Sequence, residues 1–247
     1  MLRRRDDHRS IKIVHDYCHD RFCEPCGWLR QSTIRLNLQS KLSDNPHRFL
    51  TLTLKSEDEP LKELLDKLLK CFKRLRATTF WKEKVHGGAA FIEVTANAES
   101  GRWHPHLHAI IDGKWLDQAT LRELWRTITG DSYVVDIRLI RSRIEVTNYI
   151  TKYATKPLPN RIVKDEPLLA EAIESLKGRK LCYTFGLWSR WSLLKPPPDD
   201  EWETYCHANE LPFHVGSSEA YSTEIIAGID AMITHGDGNE FTTAADP

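Results

Sequence analysis

No stretch of this 247-residue chain approaches the ~18 apolar residues of a helical membrane span, so no membrane partner is expected. Its start, MLRRRDDHRS, carries the positive charge of an export signal but has no apolar core behind it, and export is not expected either. There is no Gly-rich Walker sequence, so any unwinding of a duplex has to come from another protein. Internal repeats are absent as well. Net charge is zero, with 35 basic and 35 acidic residues, but the balance hides a division. After Lys195 there is no lysine or arginine at all, only 11 acidic residues in the last 52, which leaves the preceding 195 with a net charge of +11. Such a split between the two parts of a chain points to a body that binds a polyanion and an acidic tail; the alternative is a solvated surface with an ordinary extension.

Cysteine is sparse and unevenly placed. Cys18, Cys23 and Cys26 fall within nine residues, while Cys71, Cys182 and Cys206 are scattered. Without an export signal this pattern favours a reducing compartment and metal ligation over a disulfide framework. The run His15-x2-Cys18-x4-Cys23-x2-Cys26 has a knuckle-like Cys23-Glu24-Pro25-Cys26 step that suits a structural Zn²⁺, with His15, His19 or the distant Cys182 as fourth ligand. Unligated buried cysteines are the plainer alternative. Three segments follow from composition: a Cys-rich segment over 1–45 that suits zinc, a body of regular hydrophobic period over 46–195, and an acidic, partly disordered tail over 196–247 opened by Pro196-Pro197-Pro198.

Within the body, hydrophobic period assigns the elements. His47 to Lys55 alternates, with Leu50, Leu52 and Leu54 on one face and Thr51 and Thr53 on the other, which predicts a half-buried strand. Leu61, Leu64, Leu65, Leu68, Leu69, Phe72 and Leu75 predict a long amphipathic helix. Strands are expected over Ala89–Thr95 and His104–Asp112, then a helix capped by Asp117, a strand over Tyr133–Ile140 with Val135, Ile137 and Leu139 inward, and a helix from Ser142 to Thr155 stopped by Pro157 and Pro159. Residues 165–177 look helical and Lys180–Trp188 extended. The order β-α-β-β-α-β is that of an α+β, ferredoxin-like antiparallel sheet, with helices on one side and a polar opposite side that a further helix can cover.

Two constellations carry chemistry. In His104-Pro105-His106-Leu107-His108, residues two apart share a face of the strand, so His106 and His108 project together from the polar side as a half-site for a divalent cation. Parity across a hairpin turning near Ser100 brings Glu93 onto the same face as third ligand, with His104 as its competitor. Two imidazoles and a carboxylate leave positions open for a phosphate oxygen or water. The other constellation is Tyr149-Ile150-Thr151-Lys152-Tyr153-Ala154-Thr155-Lys156. Here Tyr149 and Tyr153 stack at i and i+4, as do Lys152 and Lys156. A tyrosine is a poor nucleophile at its ordinary pKa of about 10, and a nearby lysine lowers that value or stabilises charge on a phosphoryl transition state. Val146, Tyr149, Ile150 and Tyr153 also read as an apolar stripe, and spacing alone does not separate the two roles.

FLTLTLK, the IEVT strand with WHPHLHAII, and YITKYATK together resemble the three ordered motifs of the HUH endonuclease superfamily, over roughly residues 15–190. The match is to rolling-circle replication initiators of plasmids and bacteriophages whose proteins carry paired tyrosines. The resemblance implies Mg²⁺ or Mn²⁺ on the histidine pair and a tyrosine that attacks the scissile phosphate of single-stranded origin DNA. A 5′-phosphotyrosyl link forms and a free 3′-OH remains. It places Tyr153 with Lys156 as the primary pair and Tyr149 as second tyrosine. It also implies a helicase and replication machinery as partners, in the cytoplasm of a prokaryotic host. Paired-tyrosine transposases share these motifs, and a non-catalytic zinc-stabilised DNA-binding regulator is the alternative of a different class. A hydrolase using the HxH pair is a third, but it requires a parallel barrel that alternating strands argue against.

Overall fold

The computed structural model describes residues 2–4, 10–12, 18–42, 46–55, 58–97, 100–154, 158–189, 202–204 and 240–242. The chain divides into two units, one formed by Met1–Cys26 with Lys195–Pro247 and the other by Gly27–Leu194. In the first, β1 (Leu2–Arg4), β2 (Ser10–Lys12), β8 (Trp202–Thr204) and β9 (Glu240–Thr242) form an antiparallel sheet in the order β8-β1-β2-β9. Two short pieces of the acidic tail are thus extended strands, and the rest of the tail, with the proline run, lies outside the described residues.

The second unit is the ferredoxin-like body. Its strands are β3 (His47–Thr53), β4 (Val85–Ala96), β5 (Trp103–Gly113), β6 (Val135–Ile140) and β7 (Cys182–Gly186). Its helices are α1 (Glu24–Gln39), α2 (Leu61–Ala77), α3 (Thr79–Lys84), α4 (Gln118–Thr129), α5 (Arg143–Ala154), α6 (Asn160–Lys164) and α7 (Glu166–Leu176). The sheet order is β6-β3-β5-β4-β7, antiparallel throughout. β5 therefore lies between β3 and β4, which run parallel to each other, as the split βαβ arrangement requires. The extended segment expected at Lys180–Trp188 is β7, added as a fifth strand at the β4 edge.

One face of this sheet is a continuous apolar layer. Leu50 and Leu52 of β3, Ala90, Ile92 and Val94 of β4, Leu107, Ala109 and Ile111 of β5 and Val135 and Ile137 of β6 are buried in one cluster with α2, α4 and α7. α2 contributes Leu61, Leu64, Leu65, Leu68, Phe72 and Leu75, spaced at three and four residues, and each fully buried leucine is worth about 1.5–3 kcal/mol. Its first turn lacks a side-chain cap because Pro60 has none to give; Glu171 of α7 accepts the Leu61 N–H at 2.7 Å instead. Asp117 caps α4 as expected, through the Thr120 N–H, and Gly130 closes that helix at φ +93. Trp125 of α4 is fully buried, its indole N–H donating to the Thr53 carbonyl at 2.8 Å.

Two sequence expectations are corrected. Leu139 does not join Val135 and Ile137 in the core: on the edge strand it stands opposite Arg48 and is 45% exposed, while Ile140, of the other parity, is buried. The second face of the sheet is also only half polar. Phe49, Ala89, Phe91, Ile110 and Ile140 form an apolar patch there, closed by Ile34 and Leu38 of α1, Val146 and Ile150 of α5, and Trp188. The other half of that face carries Thr51, Thr53, Glu93, Thr95, His104, His106, His108 and Asp136. Trp81, Trp103, Trp125 and Trp188 are all core residues, whereas Trp115 is 56% exposed.

Candidate active site

The polar half of the second face is positioned by one hairpin. Asn97 starts the turn between β4 and β5: its side chain accepts the Ser100 N–H at 2.9 Å, its carbonyl accepts the Gly101 N–H at 3.1 Å, and its own N–H donates to the Arg102 carbonyl at 2.8 Å. Gly101 takes φ +69, a conformation that glycine adopts without strain. The resulting register sets Glu93 opposite His106 and Phe91 opposite His108. A slip of one residue would send all three polar groups into the leucine layer, so core burial specifies the site geometry.

Across the strands, His108 Nε2 lies 2.7 Å from Glu93 Oε2 and His108 Nδ1 lies 3.1 Å from the Thr51 hydroxyl. His108 and Glu93 are buried, at 5% and 9% exposure, whereas His106 is half-buried. The His106 and His108 rings are parallel within 15° with centroids 5.9 Å apart. His104, the competing ligand, lies with its ring against His106 at 4.5 Å, and burial holds its pKa below the ordinary histidine value. The donor set is two imidazoles and a carboxylate on two adjacent strands. His106 is the most exposed of the three.

α5 brings the tyrosines to the same place. Ser142 accepts the Glu145 N–H at 3.2 Å while the Glu145 carboxylate accepts the Arg141 N–H at 2.9 Å, a reciprocal arrangement close to a capping box. Val146 and Ile150, fully packed at i and i+4, dock the helix on the apolar half of the sheet face. That docking aims Tyr149 and Tyr153 at the border between the two halves. Phe49 lies under both, its ring stacked on Tyr149 at 4.2 Å and Tyr153 at 5.3 Å, and Tyr153 meets His108 at 4.0 Å between ring centroids. The Lys152 ammonium lies 5.1 Å from the centre of the Tyr153 ring. Lys156, with the expected helix stop at Pro157, lies outside the described residues. Both tyrosine rings pack on the core border, and Tyr153 also touches His108.

In the N-terminal unit the sulfur atoms of Cys18, Cys23 and Cys26 all lie within 4.8 Å of one another. Among the described residues this is the group of three metal-ligand atoms that comes that close; His106, His108 and Glu93 do not form a second. Cys18 and Cys26 are 3.7 Å apart and the His19 N–H donates to Cys26 Sγ at 3.2 Å. Hydrogen bonds from the Asp20 backbone, then from Cys23 and Cys26, lower the Cys18 pKa, which favours the thiolate that a metal requires. This cluster can hold a metal ion. His15 lies outside the described residues, and Cys182 is half-buried in β7, where desolvation pushes its thiol up to about 12.

A family model described as a replication protein matches residues 13–227. The chain belongs to that family. Among curated proteins, Protein rep of Bacillus amyloliquefaciens is 27% identical over 146 residues, covering 53% of this chain and 43% of the relative. Protein rep of Streptococcus pneumoniae serotype 2 is 28% identical over 161 residues (57% and 50%), and that of Lactiplantibacillus plantarum 27% over 163 (58% and 51%). The chain spans about half the length of the curated relatives it matches. No solved structure matches it. The resemblance to rolling-circle initiators read from the three motifs is thus borne out at the level of the family.

In this replication protein, two neighbours of the site were not singled out from sequence. Thr51 and Phe49 both come from the first motif, on the face opposite Leu50 and Leu52, and strand parity alone would have put them beside the histidines. None of the described helices is long and apolar enough to cross a membrane.

Proposed function

We propose that this replication protein nicks and rejoins single-stranded origin DNA, with Tyr153 as nucleophile, Tyr149 as the second tyrosine, and His106, His108 and Glu93 as holders of Mg²⁺ or Mn²⁺. The observation that carries the reading is the contact of the Tyr153 ring with His108, whose Nε2 is paired with Glu93 at 2.7 Å. A side chain that attacks phosphate and the groups that hold a cation for that phosphate have to be neighbours, and the contact of Tyr153 with His108 supports that reading. Bound at this place, the cation supplies charge stabilisation to the non-bridging oxygens of the scissile phosphate. Tyr153 supplies the oxygen: its phenol gives its proton to solvent, its O–P bond forms as the P–O3′ bond breaks, and the departing 3′ oxygen takes up a proton from solvent. One phosphodiester replaces another, so the strand can be resealed without ATP. Lys152 and Lys156 favour the ionised phenol and the charged transition state.

The basic body, with its net charge of +11 up to Lys195, draws the DNA strand by its phosphates. Cys18, Cys23 and Cys26, with His15, hold a structural Zn²⁺. A closed tetrahedral set of this kind leaves no open position for catalysis. Unwinding falls to a helicase of the host or the replicon, in the cytoplasm of a prokaryotic cell.

The test is covalent capture. Wild type, Tyr153→Phe, Tyr149→Phe and the double variant are incubated with labelled single-stranded origin DNA and Mn²⁺, and the protein–DNA adduct is read on a denaturing gel. Loss of adduct in Tyr153→Phe supports the assignment; an adduct that persists there and vanishes in Tyr149→Phe makes Tyr149 the initiating nucleophile. If wild type forms no adduct, or the double variant still forms one, tyrosine nicking is wrong.

A further inference from the structure

Thr51 occupies the middle of β3, opposite His108 on one side and Asp136 on the other. Its hydroxyl oxygen lies 3.1 Å from His108 Nδ1, while the other ring nitrogen, Nε2, faces Glu93 Oε2 at 2.7 Å. The imidazole is thereby held at both ends. Phe49 is stacked on it at 5.5 Å and 11°, and the residue is 5% exposed, so water has little access to serve either nitrogen.

A neutral imidazole carries one proton on two nitrogens. If Nε2 is to give its lone pair to a cation, the proton must sit on Nδ1, and a buried N–H there needs an acceptor. Without a cation the reverse holds: Nε2–H donates to Glu93 and Nδ1 needs a donor. A hydroxyl can do both, because rotation about its C–O bond turns it from donor to acceptor, and neither a methyl nor a carboxylate can.

We propose that Thr51 is the positioning residue of the cation site: its hydroxyl oxygen accepts a hydrogen bond from the Nδ1–H of His108 and so presents Nε2 to the ion. This rests on the reading that His106, His108 and Glu93 hold a divalent cation. Thr51 touches neither substrate nor ion and acts only through His108. Outer partners of this type typically change metal affinity by about 10- to 100-fold when removed.

The experiment uses the full chain as wild type, Thr51→Val, Thr51→Ser and His108→Ala. Free Mn²⁺ is measured by electron paramagnetic resonance during titration, and the His108 ring nitrogens are read by ¹⁵N NMR with saturating Mg²⁺. Thr51→Val, nearly the same shape without the hydroxyl, is expected to bind Mn²⁺ at least about tenfold more weakly, and Thr51→Ser to recover the affinity. In wild type with Mg²⁺ the proton is expected on Nδ1. The NMR signature and the serine rescue are read on folded protein, so a loss of stability does not imitate them. Two results overturn the proposal and leave the cation reading standing: wild-type affinity in Thr51→Val while His108→Ala loses Mn²⁺, or an unprotonated Nδ1 in the Mg²⁺ form. Wild type binding Mn²⁺ no better than His108→Ala overturns the cation reading and this proposal with it.

Discussion

Replacing Phe49 with leucine isolates what the ring does beyond filling space. Phe49 is 4% exposed and meets three rings face to face: Tyr149 at 4.2 Å, Tyr153 at 5.3 Å and His108 at 5.5 Å. Leucine keeps most of the buried area but none of the stacking, and each such pair is worth about 0.5–1.5 kcal/mol beyond area. Because the three contacts share one ring they do not simply add, and a loss of about 2–3 kcal/mol is expected. For a body of this size that lowers the melting temperature by about 4–12 °C. The matched control is Ile110→Ala, at a fully buried position of the same cluster, with an expected loss of about 2–5 kcal/mol. Thermal unfolding is measured first, and covalent adduct formation then follows well below both transitions. Phe49→Leu should slow the adduct markedly more than Ile110→Ala, because only Phe49 registers both tyrosines against His108. Equal slowing by the two variants, or unchanged stability in Phe49→Leu, would refute the argument.

Two further outcomes follow from the packing. Trp125→Phe removes the indole N–H from the Thr53 carbonyl and leaves a buried acceptor unpaired, so denaturant unfolding should show a loss of about 1–3 kcal/mol; a change under about 0.5 kcal/mol contradicts the role given to that bond. In reduced, metal-free protein at pH 8, iodoacetamide should label Cys18 first. Its pKa is lowered by the Asp20 backbone and by its neighbouring thiols. Cys182 should be labelled last, since a thiol pushed up to about 12 by burial is ionised in roughly one molecule in ten thousand at that pH. Peptide mass spectrometry reads the order, and early labelling of Cys182 would show that β7 opens readily.

The parts of the fold governed by a local period were legible in the sequence. Alternation puts Leu50 and Leu52 inside and Thr51 outside, and parity carried from β5 to β4 pairs Glu93 with the histidines. What was hidden depends on which elements meet. The second sheet face was read as polar because His106, His108 and Glu93 dominate its strands in sequence, yet Phe49, Ala89, Phe91 and Ile110 share that face a few residues away. Only the docking of α1 and α5 reveals that they form a core. Leu139 matched the inward parity, but β6 is an edge strand, and at its Arg48 end the apolar cover has stopped. The stacking of Tyr149 and Tyr153 on one phenylalanine also escapes sequence, since residues a hundred positions apart have no local signal for each other.

The placement of β5 between β3 and β4 has a dynamic consequence. Amides and carbonyls of this strand are engaged on both sides along most of its length, so exposing the His106–His108 segment to solvent requires the sheet itself to come apart. α5, by contrast, is held by side chains alone, with Val146, Tyr149, Ile150 and Tyr153 packed on the sheet face and Arg143 and Thr147 bonded to Leu42 and Gln39, so it can detach as a smaller cooperative unit without breaking the strand ladder. The histidines and the tyrosines therefore belong to parts of the molecule with different opening free energies. Amide exchange is therefore expected to be faster in α5 than in the centre of β5.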